Sequence, residues 1–314
     1  MTIDLKKIKT GDRRELAKAI TLVEDSRSDS KLEVEKLFKN IPIDNKTIRI
    51  AITGIPGSGK SSLIEKLGLY AIKEGKKVAV LAIDPSSPIN GGSILGDKIR
   101  MEQLSLEKNA FIRPSPSRGH LGGVAFSTFE TILLCEYAGF DFILIETIGV
   151  GQSEFEAKTL SDIFLYLAGP NTGDEIQGIK RGILELSDII VVNKHDGDSK
   201  IQAEVTKGQL ENSLHIKGID NINILLASAI KNDGILEIYN LLLSLSKNKN
   251  FFENRKKQVD NWIINLTLHY ISEEMKNSKN IKMRLAELKD EIWMSKKSSY
   301  DAVKSIIKEL KKDI

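Results

Sequence analysis

Eight consecutive residues restrict the fold of this chain more than any other stretch: Gly54-Ile55-Pro56-Gly57-Ser58-Gly59-Lys60-Ser61. They fit the phosphate-binding pattern G-x-x-x-x-G-K-[ST], which works only between a strand and a helix. Both flanks comply. Ile48 to Thr53 is a short apolar run that predicts a buried strand, and Ser61 to Lys73 predicts an amphipathic helix. Glycines let successive backbone N–H groups curl around an anion where a side chain would clash. The following helix turns the positive end of its dipole toward the same charge. Gly57, Ser58, Gly59, Lys60, Ser61 and Ser62 are the expected phosphate contacts. Lys60 would reach the β- and γ-phosphates and the Ser61 hydroxyl would ligate Mg²⁺.

Around this loop, strands and helices alternate. Strands are expected at 48–53, 77–83, 141–146, 162–168, 188–193 and 223–227. Most are continuous apolar runs, the mark of strands buried on both faces of a parallel sheet. The fold class that follows is α/β, a mostly parallel P-loop sheet flanked by helices, with helical N- and C-terminal extensions. Residues 1–44 read as a helical extension, 45–247 as the nucleotide domain, and 248–314 as a helical region free of Gly and Pro. Helices of that last region either fold back on the sheet or form an arm for a second subunit.

Composition excludes several classes. The formal net charge of +3 is too small to argue for nucleic acid or a membrane surface. No apolar run approaches the roughly 20 residues of a membrane span. The N-terminus lacks the apolar core of a signal peptide. The one cysteine, Cys135, rules out an internal disulfide and any multi-cysteine metal cage. It lies in an apolar run and reads as a buried thiol. A soluble cytoplasmic enzyme is the expectation.

Further motifs follow predicted strand ends. Asn193-Lys194-His195-Asp196 fits N-K-x-D. A carboxylate such as Asp196 can accept from both the N1–H and the exocyclic amine of guanine, a pair that adenine lacks. Asn193 would support the loop, and the Lys194 stem would cover the base. His195, at the open position, is expected to be solvated. Ser228-Ala229 would offer a backbone N–H to the guanine oxygen. Glu146, where many such proteins have Asp, is read as a direct metal partner, a holder of metal-bound water, or a base. The Gly149 N–H is read as a γ-phosphate contact. Asp84 and Asp97 are the other acids expected near Mg²⁺, with Arg100 near phosphate or a partner. No glutamine directly follows Gly149; Gln152 is the nearest substitute, so slow intrinsic hydrolysis is expected. The stretches 113–123 and 171–182 read as long partner-facing loops.

Taken together, these strings resemble the methylmalonyl-CoA mutase-associated GTPases (MeaB/ArgK type, with the methylmalonic aciduria type A protein as animal relative). The P-loop, DPSS at 84–87, GGSILGDKIRM at 91–101, FIRPSPSRGHLGG at 111–123, ETIGVGQSE at 146–154, TGDEIQGIKRG at 172–182 and NKHDGD at 193–198 carry the resemblance. It runs from about residue 10 to about 245 and weakens in the C-terminal helices. It implies a SIMIBI-class GTPase that binds GTP/GDP and Mg²⁺. It implies a homodimer joined through helical extensions. It further implies a chaperone of an adenosylcobalamin-dependent mutase that gates cofactor loading and removal of damaged cofactor. By the same likeness the 171–182 loop is a third switch in which Lys180 stabilises γ-phosphate charge when the mutase is bound. Three alternatives stand beside it: an ATP-using kinase or transport ATPase, which Asp196 opposes; a nickel-enzyme maturation GTPase, which wants Cys/His ligands that one cysteine and four scattered histidines do not supply; and a scaffold that binds without functional hydrolysis.

Overall fold

The computed structural model describes residues 3–25, 27–42, 46–84, 101–116, 123–147, 153–170, 182–219, 221–248 and 251–313. The chain divides into two compact units, Met1–Gln258 and Val259–Ile314.

The first unit is built on a sheet of seven strands: β1 (Ile48–Thr53), β2 (Val78–Asp84), β3 (Ala110–Pro116), β4 (Phe142–Thr147), β5 (Ile163–Ala168), β6 (Ile189–Val192) and β7 (Asn223–Leu226). Their order is β3-β2-β4-β1-β5-β6-β7, and every pairing is parallel. This is the parallel α/β sheet expected from the apolar runs. Ile50, Ala51 and Ile52 of β1, like all of Ile189–Val192, have no exposed surface, as strands covered on both faces require. The chain leaves β1 toward β2 on one side, and from β4 it crosses to β5 on the other. The crevice where the direction reverses lies at the carboxyl end of β1, where ligands of doubly wound sheets bind.

One strand departs from the expectation. Residues 113–116 read as loop because of Pro114 and Pro116, yet they extend β3, paired with Leu81 to Asp84 of β2. The strand is an edge, so its prolines remove no ladder bond that a second neighbour would need. N-terminal helices cover that edge. Helices α1 (Leu5–Lys9) and α2 (Arg13–Val23) start at Asp4 and Asp12, whose carboxylates accept the first free backbone N–H groups. Arg13 Nη1 then donates to Glu107 O and Ala110 O at 3.0 and 2.6 Å, and Arg113 of β3 pairs with Glu24. Helix α3 (Ser28–Phe38) completes the extension.

Helix α4 (Lys60–Lys73) leaves the phosphate loop and packs on the sheet through Leu63, Ile64 and Leu67. Helix α5 (Glu102–Leu106) docks against it: Glu65 accepts from Gln103 N at 2.9 Å, and Leu104 fills the space at Gly68. The remaining helices of this unit are α6 (Gly123–Tyr137), α7 (Ser153–Leu160), α8 (Gly182–Leu186), α9 (Lys200–Ile216) and α10 (Ile235–Asn248). Cys135 of α6 is fully buried, and burial pushes its thiol far up. It is a structural residue, as its apolar surroundings predict.

At the amino end of β1 the core holds charge. Arg49 is 1% exposed, and its guanidinium forks onto Glu136 at 2.8 and 2.9 Å. Arg255, 3% exposed, forks onto Asp162 at 3.0 and 2.7 Å and lies 3.5 Å from Glu136. Gln258 bridges Arg49 Nη1 and Ser161 O. Two cations meet two anions, and each has further hydrogen bonds, which is the condition under which buried charge is tolerated. Arg255 and Gln258 lie in the first turns of the 27-residue helix α11 (Phe251–Asn277).

The second unit holds the rest of α11, with α12 (Lys279–Trp293) and α13 (Ser299–Asp313). Ile281, Leu288, Ala302, Ile306 and Leu310 form its small core, with Ile271 and Met275 packed on it. Leu268, Met283, Trp293 and Tyr300 are exposed.

Two stability predictions arise here. Arg255→Ala takes the guanidinium from buried Asp162, while Glu136 keeps its fork from Arg49, and should cost about 3–5 kcal/mol in urea unfolding; a change below about 1 kcal/mol would show that the network contributes little. Glu130 on α6 is partly buried, and burial pushes its carboxyl up from 4.5 to about 7. The folded protein therefore keeps a proton there that the unfolded chain releases, so stability falls as pH rises from about 4.5 to about 7, by up to about 2–3 kcal/mol. Glu130→Gln should remove that fall, widening the variant's lead in melting temperature between pH 5 and pH 7.5.

Candidate functional site

The phosphate loop leaves β1 at Gly54, whose φ of 154° comes with a close approach: a Cβ there would stand 2.2 Å from Leu167 O of β5. Gly59 carries the second constraint. Its φ is 92°, and a Cβ would meet the Asn193 amide nitrogen at 2.4 Å. Gly59 is also the N-cap of α4, and no side chain among the described residues caps that helix. Its first N–H groups are thus turned to the loop, the arrangement that receives an anion. Lys60, 8% exposed, donates from Nζ to Gly54 O at 2.8 Å and Ile55 O at 3.1 Å, which holds its charge over the loop. The Ser58 hydroxyl is buried and has no hydrogen-bond partner among the described residues.

Beside the loop, the β1–β4 register pairs Ile52 with Glu146. That places the Glu146 carboxylate against the start of α4, where Ser61 Oγ donates to Glu146 Oε1 at 2.9 Å. Under this contact the Thr147 hydroxyl donates to Thr53 Oγ1 at 2.8 Å, both fully buried, which locks the ends of the two strands together. A hydroxyl and a carboxylate converging beside a phosphate loop are hard oxygen donors that suit Mg²⁺.

The N-K-x-D loop follows β6. Asn193 does more than support it. Its amide donates to Ser58 O at 2.9 Å, and its Oδ1 accepts from Ala229 N at 3.2 Å. One side chain thus joins the phosphate loop, the 193–196 loop and the segment after β7. Lys194 is exposed with φ at 63°. Asp196 accepts from the Ser228 hydroxyl, which itself accepts from Lys231 N at 3.1 Å. Ser228 therefore orients the carboxylate, a task the motif pattern does not assign to it. His195 also differs from the expectation of a solvated ring. It is 14% exposed and contacts Glu204 on α9 at 3.1 Å. The one hint in the sequence is an acid nine residues on, in the helix that follows.

The expected residues Lys60, Ser61, Glu146, Asn193, Asp196, Ser228 and Ala229 are thus gathered at the carboxyl ends of β1, β4, β6 and β7. The readings of Asp97, Arg100, Gly149, Gln152, Lys180 and the Asp84 side chain lie outside the described residues, as do those of the 117–122 and 171–181 stretches.

Comparison with known proteins agrees with this geometry. A family model described as "Methylmalonyl Co-A mutase-associated GTPase MeaB" matches residues 16–280. A putative GTPase of Caulobacter vibrioides is 55% identical over 207 residues, 66% of this chain and 63% of its own length. GTPase ArgK of Escherichia coli is 41% identical over 268 residues, 82% of this chain and 81% of that one. The mitochondrial methylmalonic aciduria type A homolog of Mus musculus is 37% identical over 294 residues, 88% of this chain and 71% of that one. Among solved structures, that of a protein named LAO/AO transport system kinase superposes with a TM-score of 0.75 at 29% identity, covering 98% of this chain and 96% of that one. The chain belongs to the MeaB family of GTP-hydrolysing P-loop enzymes.

Removing the Asn193 side chain tests whether the site is one unit. Asn193→Ala leaves the buried Ser58 carbonyl and Ala229 N–H unpaired, a loss of about 1–3 kcal/mol. Affinity for a fluorescent guanine nucleotide should drop by about 10- to 100-fold. Unchanged affinity would mean that the two loops bind independently.

Proposed function

We propose, from its membership of that family, that the chain is a GTP-driven switch serving an adenosylcobalamin-dependent acyl-CoA mutase, with methylmalonyl-CoA mutase as the leading client. In this reading GTP gates cofactor loading and protects the bound cofactor. The observation that carries the nucleotide half is the Asn193 amide, which makes the phosphate loop and the base loop one hydrogen-bonded unit. The mutase half rests on the description of the matching family.

Within that reading each residue has a task. Backbone N–H groups of Gly57 to Ser62 take the phosphates, and Lys60 neutralises their charge. Ser61 and Glu146 would hold Mg²⁺, which supplies further charge neutralisation when bound. Asp196, oriented by Ser228, selects guanine, and the Lys194 stem covers the base. Hydrolysis would rest on positioning and charge rather than on covalent chemistry, and would be slow alone. We assign Gln152 and Lys180 to positioning the water and to γ-phosphate charge in the mutase-bound state. Exposed apolar side chains on the second unit, Leu268, Met283 and Trp293 among them, support a homodimer formed through it. No described helix is long and apolar enough to cross a membrane. A cytoplasmic location with the client completes the reading.

A kinase or transport-ATPase reading has the name of one structural neighbour behind it. Asp196 opposes it, since adenine offers no matching pair of donors. For nickel-enzyme maturation, no group of three or more His, Cys, Asp or Glu among the described residues is placed to hold a metal ion.

Steady-state hydrolysis of GTP and ATP, with and without the cobalamin mutase of the same organism, tests the proposal. A weak GTP-only rate that rises several-fold with the mutase is expected. Equal use of ATP would sink the role of Asp196, and a GTP rate indifferent to every cobalamin mutase would remove the client.

A further inference from the structure

We infer that His195, the open position of N-K-x-D, is a positioning residue for guanine recognition that acts through its ring contact with Glu204. The inference rests on reading Asn193 to Asp196 as the guanine loop. In the bare motif the third residue has no task. Here it is a fixed point.

The loop must hold a backbone that does not hold itself. Lys194 sits at φ 63°, in the left-handed region that L side chains occupy only when their surroundings impose it. No hydrogen bond or ion pair of its own side chain is found among the described residues. The restraint therefore comes from the residues on either side. Asn193 is tied on the near side by its amide and by its backbone N–H to Ala168 O at 3.0 Å. His195 is tied on the far side twice. Its backbone N–H donates to Ala227 O at 2.9 Å, one step beyond the end of the β6–β7 ladder. Its ring Nε2 lies 3.1 Å from Glu204 Oε1, on the helix α9 that the chain enters just after the loop. With Nε2–H as donor to the carboxylate, the contact holds whether or not the imidazole carries charge.

Asp196 follows directly. Its carboxylate meets a base edge only if the loop delivers it at the right height, and the Ser228 hydroxyl sets its rotation but not the path of its backbone. Loss of the ring contact leaves the far side held by the backbone bond to Ala227 O alone, which loosens Lys194 in the left-handed region and shifts Asp196 with it. A carboxylate so displaced keeps at most one of its two hydrogen bonds to guanine. Hypoxanthine, which lacks the exocyclic amine, offers only one to begin with. The ring contact is thus read out as preference for GDP over IDP, not as phosphate affinity.

The test is calorimetric binding of GDP, IDP and ADP to the full chain, the wild type beside His195→Phe, Glu204→Leu and Glu204→Gln. The phenyl ring keeps the bulk and loses the hydrogen bond; the glutamine amide oxygen keeps the acceptor. GDP affinity should fall by about two- to five-fold in His195→Phe and Glu204→Leu, the size of a contact to a half-exposed carboxylate. IDP affinity should fall less, so that the GDP-to-IDP ratio shrinks, and Glu204→Gln should keep the wild-type ratio. Melting of the nucleotide-free proteins identifies a variant that fails to fold, in which case its partner variant carries the test. A wild-type ratio in folded His195→Phe and Glu204→Leu overturns the inference. So does an equal loss for GDP and IDP, which would mark a general loosening. A wild type that binds ADP as well as GDP would instead overturn the guanine reading beneath it.

Discussion

One carboxamide determines how the working edge of this protein is put together. The Asn193 side chain donates into the phosphate loop at Ser58 O and accepts from Ala229 N beyond β7. Those segments come from three places far apart in the chain, and the sheet brings only their strand ends near one another. The amide turns nearness into registry. It also explains why Gly59 admits no side chain: the space a Cβ would need is filled by the amide nitrogen. A motif glycine at one end of the site and a motif asparagine at the other are a single steric fit.

The opposite end of β1 is held by charge. Arg49, at the second position of the strand, and Arg255, from the start of α11, share Glu136 and Asp162 in a region with almost no exposed surface. Apolar side chains would fill that space at less electrostatic cost. What the ionic set adds is direction. Each fork accepts only one geometry, so β1, the loop before β5, the end of α6 and the first turns of α11 are brought to one arrangement. With Thr53 and Thr147 locked at the other end, β1 is pinned at both termini, and the phosphate loop issues from a strand with little freedom to shift.

In the proposed reading the two loops divide the nucleotide between them on different principles. The phosphate loop works through backbone N–H groups and one lysine, and its demands fall on glycine. The base loop works through side chains whose aim matters, and its demands fall on supports: Ser228 behind Asp196, and Glu204 behind His195. The first kind of site tolerates no added atoms at Gly54 and Gly59. The second tolerates many substitutions at its supports, each at some loss of aim. In that reading, selectivity for the base is the property most exposed to changes outside the motif.

Local patterns settle much of this in advance. Apolar runs without alternation announce a parallel sheet, because only strands covered on both faces can carry them, and six of the seven strands are legible that way. Glycines at 54, 57 and 59, with Lys60 and Ser61, announce a phosphate site, because the backbone geometry needed there is open to few other residues. What the chain alone does not disclose is what depends on partners distant in sequence. Pro114 and Pro116 read as a loop until the topology makes β3 an edge, where a missing N–H costs little. Arg49 in an apolar strand, Glu136 in an apolar helix and Arg255 in a polar one each look misplaced or ordinary until folding sets them within hydrogen-bond distance. His195 looks idle until α9 brings Glu204 to its ring. Sequence alone determined the phosphate chemistry and the sheet, which are written in consecutive residues. Tertiary structure alone decided which polar groups support one another, because a hydrogen bond depends on distance and angle in space, and neither is a property of the order of residues along the chain.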